Sequence, residues 1–124
     1  MNGDNLGMTL VELLFALTAM AVLLIALVAA LTRTLADAQF TANRAKADRY
    51  VEEALELARN KRDEIGLDKL ETNKVPNSPL PLPFKRTINI TAESDEKKRV
   101  VVQVTWSDSR GTHWATGSSY LTEW

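Results

Sequence analysis

Cysteine is absent from the 124 residues, which excludes disulfides, thiolate nucleophiles and thiolate-held metals. A secreted domain this small often depends on a covalent staple. Here any soluble part must gain its stability by packing on something else. Charge of one sign is also lacking: 15 basic and 16 acidic residues leave a formal charge of −1, so nothing in the balance points to a polyanionic partner or an acidic substrate. There is no glycine-rich phosphate loop and no Asp-x-Asp-x-Asp-Gly calcium loop. Neither glycine nor proline interrupts the chain after Met8 until Gly66.

Hydrophobic residues make up 45% of the chain, but the strongly apolar ones crowd into its first quarter. Leu13 to Leu31 reads LLFALTAMAVLLIALVAAL, 19 residues with one Thr and no charge. At ~1.5 Å per residue a helix of that length spans roughly 28 Å, close to a bilayer core of about 30 Å. The rival reading is a secretory signal peptide, with Ala26, Ala29 and Ala30 imitating its cleavage site. Such peptides have a basic start and an apolar region of only ~7–15 residues, so length and flanks favour a retained anchor. At the edge of the run stands Glu12. A carboxylate at membrane depth is costly, so it either reaches the interface or awaits a partner.

Gly7-Met8-Thr9-Leu10-Val11-Glu12, followed by about twenty apolar residues, resembles the processing motif of type IV prepilins and type II secretion pseudopilins. The likeness is close from Gly7 to about Leu31 and looser beyond. It implies that a prepilin peptidase cuts after Gly7 and methylates the new terminus at Met8. It also implies that Glu12 is the assembly residue. A terminal ammonium of one subunit and Glu12 of a neighbour, both out of water, would each offset the other's burial and fix register. The implied product is a minor pilin or pseudopilin, stored in the cytoplasmic membrane and assembled into an extracellular or periplasmic filament. Its partners would be membrane lipid, the peptidase, other pilin-like subunits and an assembly platform. The leader Met1–Gly7 departs from the family in having no Lys or Arg. Arg33, Arg44, Lys46 and Arg49 lie beyond the run instead, which by the positive-inside rule alone would put the C-terminal part in the cytoplasm.

Thr32 to Glu64 is rich in Ala, Leu, Glu, Arg and Lys, so the helix is expected to continue outside the membrane. From Met8 to Glu64 it would be a rod about 85 Å long. Phe40, Ala47, Val51, Ala54 and Ala58 share one face, with Phe40, Val51, Ala54 and Ala58 the expected helix–sheet packing residues. Leu31, Leu35, Ala38, Ala42 and Ala45 form a second stripe nearly opposite. Two stripes suggest two partners, a globular domain and a neighbouring helix, although alanine is also ordinary helix filler. Gly66 is placed to end the helix.

Residues 66–83 close with Pro79-Leu80-Pro81-Leu82-Pro83, an extended connection or a docking motif for a proline-binding partner. Beyond it, Phe84, Arg86, Ile88 and Ile90, then Val100, Val102, Val104 and Trp106, recur at every second position. Glu93 to Lys98 reads as a hairpin tip and Ser107 to Gly111 as a second turn. A third strand from Thr112 to about Trp124 puts Trp114, Tyr120 and Trp124 on one parity and Ala115 and Leu121 on the other. The expected fold is α+β and type IV pilin-like: a long N-terminal helix, transmembrane in its first half, packed on a small three-stranded antiparallel sheet. Its parts are a leader at 1–7, a transmembrane half-helix at 8–31, an amphipathic half at 32–65, a connection at 66–83 and a β-meander at 84–124.

No enzyme is expected. His113 is the single histidine, and a nucleophile could be imagined from Ser109, Ser118 or Ser119 with Asp108. A lone histidine beside Trp114 in a strand more often sits at a surface or edge. Glu93, Asp95 and Glu96 could mimic a metal site, but Lys97 and Lys98 neutralise them; no metal and no cofactor are expected. Some pilin-like proteins bind DNA during uptake. Lys97-Lys98-Arg99 and Lys85-Arg86 are the candidate patch for it, and the charge balance and lack of interleaved aromatics argue against it. Two other classes remain: a single-pass membrane protein whose β domain binds a partner without polymerising, and a secreted domain beginning near Thr32.

Overall fold

The computed structural model describes residues 4–123, with side chains from Thr9 onward. Helix α1 runs Asp4–Ile65. A single 3-10 turn follows at Thr72–Lys74, then strands β1 (Lys85–Ser94), β2 (Lys97–Asp108) and β3 (Gly111–Thr122). The strands form an antiparallel meander in the order β1-β2-β3. This is an α+β layout. The molecule divides into two compact units between Gln39 and Phe40.

The described residues of the first unit are all helical. From Thr9 to Leu35 every side chain is exposed, so this stretch has no core of its own. Its hydroxyls are satisfied locally: Thr18 Oγ1 donates to Phe15 O at 2.9 Å and Thr32 Oγ1 to Ala29 O at 2.9 Å. Among the described residues one helix, Thr9–Ile65, is long and apolar enough by length and composition to cross a membrane.

The second unit holds the core. Ala47, Val51, Ala54 and Ala58 on α1 are buried against Ile88 of β1, Val100, Val102, Val104 and Trp106 of β2, and Ala115 and Leu121 of β3. Small residues on the helix let it lie close to the valine row of β2, and each valine so buried is worth about 1.5–3 kcal/mol. Helix α1 stops at Ile65 because Gly66 turns left-handed, with φ +86°, and its N–H reaches back to Arg62 O at 2.8 Å.

The connection at 66–83 is more than a spacer. Leu67, Leu70 and Val75 are buried in the core, and Leu80 packs on it. This segment also closes the outer edge of β1: Ile90 N–H donates to Thr72 Oγ1 at 2.9 Å and Asn77 Nδ2 to Arg86 O at 3.4 Å. Strand β3 forms the opposite edge.

Both hairpins are tighter than the residue types suggest. Ser94 pairs with Lys97, so Glu93, Lys97 and Lys98, read as part of a tip, are strand residues and only Asp95 and Glu96 make the turn. Asp108 pairs with Gly111, leaving Ser109 and Arg110 as the second turn. There Asp108 Oδ1 accepts the Arg110 N–H at 2.8 Å, a side chain standing in for a backbone acceptor. Strand β3 ends at Thr122, and Trp124 lies outside the described residues.

Candidate functional site

The residues singled out by the sequence fall in three places. Gly7 and Met8 lie within the bounds of α1, and their side-chain surroundings, like all of Met1–Gly3, are outside the described residues. Glu12 is helical and exposed, one turn into a stretch where Leu10, Val11, Leu13 and Leu14 are also more than half exposed. A carboxylate on an otherwise apolar, uncovered helix has the chemistry to accept a cation brought by another molecule.

Farther along α1, Val51, Ala54 and Ala58 are buried beneath the sheet and Phe40 is half-buried. Phe40 meets the His113 ring edge-on at 4.9 Å between centroids and the Trp106 ring at 6.2 Å. Of the second stripe, Leu31 and Leu35 in the first unit are 54% and 69% exposed, and Ala42 and Ala45 in the second are exposed as well. Exposed acids of α1 have basic neighbours: Asp48 has Arg44 at 3.4 Å and Glu56 has Arg59 at 3.2 Å. Exposed pairs of this kind add little stability.

His113 sits on the edge strand β3, as a lone histidine in a strand is expected to, and is half-buried there. Its ring packs against those of Phe40 and Trp106, which also meet each other, and its Nε2 stands 2.9 Å from Asp108 Oδ1. The hydrogen bond from His113, and after it the Arg110 N–H, hold the Asp108 carboxyl below its ordinary value. Of the serines that could have joined them, Ser119 instead accepts a bond from Arg59 Nη2 at 3.4 Å. His113 and Asp108 thus clasp the β2–β3 turn onto Phe40. Trp106 is almost wholly buried beside them, and its Nε1 has no hydrogen-bond partner.

The five cations on β1 and β2 do not make one surface. Arg86 points inward with a side chain only 2% exposed: its Nε donates to Asn77 Oδ1 at 3.0 Å, its Nη1 to Tyr50 O at 3.4 Å, and Glu53 Oε1 lies 3.6 Å away. Lys98 is spent on the connection, its Nζ donating to Asp68 O and Leu70 O at 3.0 and 2.9 Å. Lys97 stands 4.0 Å over the ring of Tyr120, with Arg99 5.9 Å from the same ring, so an aromatic does lie between two of the cations. Register brings Tyr120 opposite Arg99 across β2 and β3, a proximity that spacing along the chain does not reveal. Among the described residues no three of His, Cys, Asp and Glu gather where they could hold a metal ion.

No family model, no curated protein and no solved structure matches the chain.

Proposed function

We propose that this chain is a structural filament subunit of the minor pilin or pseudopilin type, cut after Gly7, methylated at Met8 and assembled from the membrane with Glu12 as its register residue. The observation that carries the reading is Glu12 itself, set in Gly7-Met8-Thr9-Leu10-Val11-Glu12 at the head of a long apolar helix. The exposure of every side chain from Thr9 to Leu35 supports it, because such a helix calls for lipid first and neighbouring helices later. Transfer from lipid to a helix bundle gains little hydrophobic energy, since lipid is already apolar. Packing and the pair between Glu12 and a neighbour's new amino terminus then decide register, and extraction needs an external motor. In this role the chain performs no catalysis of its own.

Intact-mass and N-terminal analysis of protein from its native membrane tests this. Removal of Met1–Gly7 from the 124 residues leaves a chain of 117 beginning with methylated Met8. Fibre assembly should be lost in Glu12→Ala. An intact Met1, with fibres or function indifferent to Glu12→Ala, would replace the filament reading with that of a single-pass anchored binding module. A start near Thr32 would replace it with a secreted domain.

A further inference from the structure

One face of the sheet packs on α1 and the other is open. Ile88, Val102, Ala115 and Leu121 face the helix, so the alternate positions point outward, where Thr87, Asn89, Gln103, Thr116 and Ser118 are all exposed. Two aromatics stand on this face, Trp114 at 61% and Tyr120 at 51% exposure. They are six residues, about 20 Å, apart along β3. Register gives each its own row: Lys85, Thr105 and Trp114 make one, and Thr91, Arg99 and Tyr120 the other. The rows between, Thr87-Gln103-Thr116 and Asn89-Val101-Ser118, carry no charge. Glu93 lies 3.6 Å from Lys97, which stands over Tyr120. Neither Lys85 nor Arg99 has a carboxylate partner among the described residues. The face is therefore basic, with an aromatic at each end and hydrogen-bonding side chains in the middle.

The other side of the second unit is the outer side of α1. Ala47, Val51, Ala54 and Ala58 are buried against the sheet, so Ala42, Ala45, Arg49, Glu52 and Glu56 point outward, and all five are exposed. Glu52 has no basic partner among the described residues, and Glu56 has Arg59. Ala42 and Glu56 are ~21 Å apart along the helix, the same interval that separates the two aromatics. Laid along β3 of a second copy, this side sets Ala42 and Ala45 against Trp114. It brings the Arg49 guanidinium over the Gln103 and Ser118 oxygens, and Glu52 and Glu56 over Arg99 beside Tyr120. The smallest side chains meet the largest, and opposite charges meet.

Direction follows from the same register. Within one copy, Phe40 of α1 packs on His113 at the Trp114 end of the sheet, and Arg62 Nη1 donates to Thr122 O at 3.3 Å at the Tyr120 end. The docked helix of the second copy runs the same way, so the two second units point alike. The contact joins two different patches, which makes it heterologous and able to repeat from copy to copy.

We propose that the open sheet face of one copy, with Trp114, Tyr120 and Arg99, seats the outer side of α1 of a second copy, with Ala45, Arg49 and Glu52. This names a contact inside the filament and rests on the filament reading. Exposed ion pairs contribute little, so the aromatic anchors hold the contact and the charges set its register.

The test is assembly of the full chain in its native membrane, scored as fibre yield and as disulfide trapping. The chain has no cysteine of its own, so co-expressed chains bearing Ala45→Cys and Thr116→Cys should give a mixed disulfide in fibres, several-fold above either variant alone. Arg99→Glu, Glu52→Arg and Trp114→Ala should each lower fibre yield several-fold while leaving the thermal melt in place, since all three side chains are exposed. Arg99→Glu and Glu52→Arg combined in one chain should restore assembly. Normal fibres from Arg99→Glu and Trp114→Ala, with Met1–Gly7 removed, would overturn the contact and leave the filament standing. A chain that keeps Met1 and forms no fibres would overturn both. Loss in both charge reversals without rescue in the combined variant would overturn this pairing and assign the face to an anionic partner other than a second copy.

Discussion

Gly117 of β3 lies so close beneath Val51 of α1 that a Cβ added to the glycine would fall far inside van der Waals contact with Val51 Cγ1. The helix approaches the sheet at a point where only hydrogen fits. Gly117→Ala should destabilise the second unit by about 1–3 kcal/mol, as overpacking of a filled core does. Thermal melts should show a smaller cost for the same change in a Val51→Ala background, because the clash has been removed. An equal cost in both backgrounds would place the effect in the strand backbone rather than in this contact.

Arg86 and Glu53 look like an ion pair, but the two ends are unequal. Glu53 is 56% exposed and solvent screens it, whereas the Arg86 side chain is buried and bonded to Asn77 and to Tyr50 O. Glu53→Gln should therefore cost less than about 0.5 kcal/mol. Arg86→Ala should cost on the order of 2–4 kcal/mol, since it strands an amide and a carbonyl as well as leaving a void. Denaturant midpoints of the two variants decide it, and similar losses would show that the ion pair dominates.

Trp106 buries an indole N–H without an acceptor. Replacing it by Phe loses part of a large side chain but also removes a donor that burial penalises by about 1–3 kcal/mol. The net change in unfolding free energy for Trp106→Phe should be small. Trp106→Ala, which empties the site between Phe40 and Phe84, should cost about 3–5 kcal/mol. Comparable losses in both would mean the N–H does find a partner in solution.

Asp108 gives the fold an acid limit. Its folded carboxyl lies below the ordinary value because His113 and the Arg110 N–H bond to the charged form. A depressed carboxylate contributes stability above the unfolded value, and that contribution fades as pH falls through the folded one. The melting temperature should thus decline as pH drops below about 4, the ordinary carboxylate range. Asp108→Asn should flatten that part of the curve. An unchanged acid slope in the variant would assign the decline to other carboxylates.

Much of the second unit was legible because its signals are periodic. The Phe40, Ala47, Val51, Ala54, Ala58 stripe and the alternation of Val100, Val102, Val104 and Trp106 identify the buried faces without coordinates, and all but half-buried Phe40 are core residues. Leu67, Leu70 and Val75 escaped notice because isolated apolar residues among turn formers carry no period. The polar ends of β1 and β2 escaped for a related reason, since cross-strand pairing rather than hydrophobicity fixes Ser94 against Lys97. Adjacency puts Arg86 beside Lys85 in a candidate basic patch, whereas its alternation with Phe84, Ile88 and Ile90 places it on the opposite, buried face, where the structure has it. Near the start of α1, Gly7, Met8 and Glu12 are a motif of sequence, and the roles proposed for them need other molecules.

The two margins of the sheet are not alike: Thr72 and Asn77 bond to the backbone of β1, while β3 is left as the other border. A sheet sealed along one side can accept a single guest strand and then has nowhere further to extend. Uncontrolled stacking into cross-β fibrils needs two receptive sides on every molecule. The connection at 66–83 thereby hinders strand addition along the β1 margin, where it occupies the Ile90 N–H and the Arg86 carbonyl.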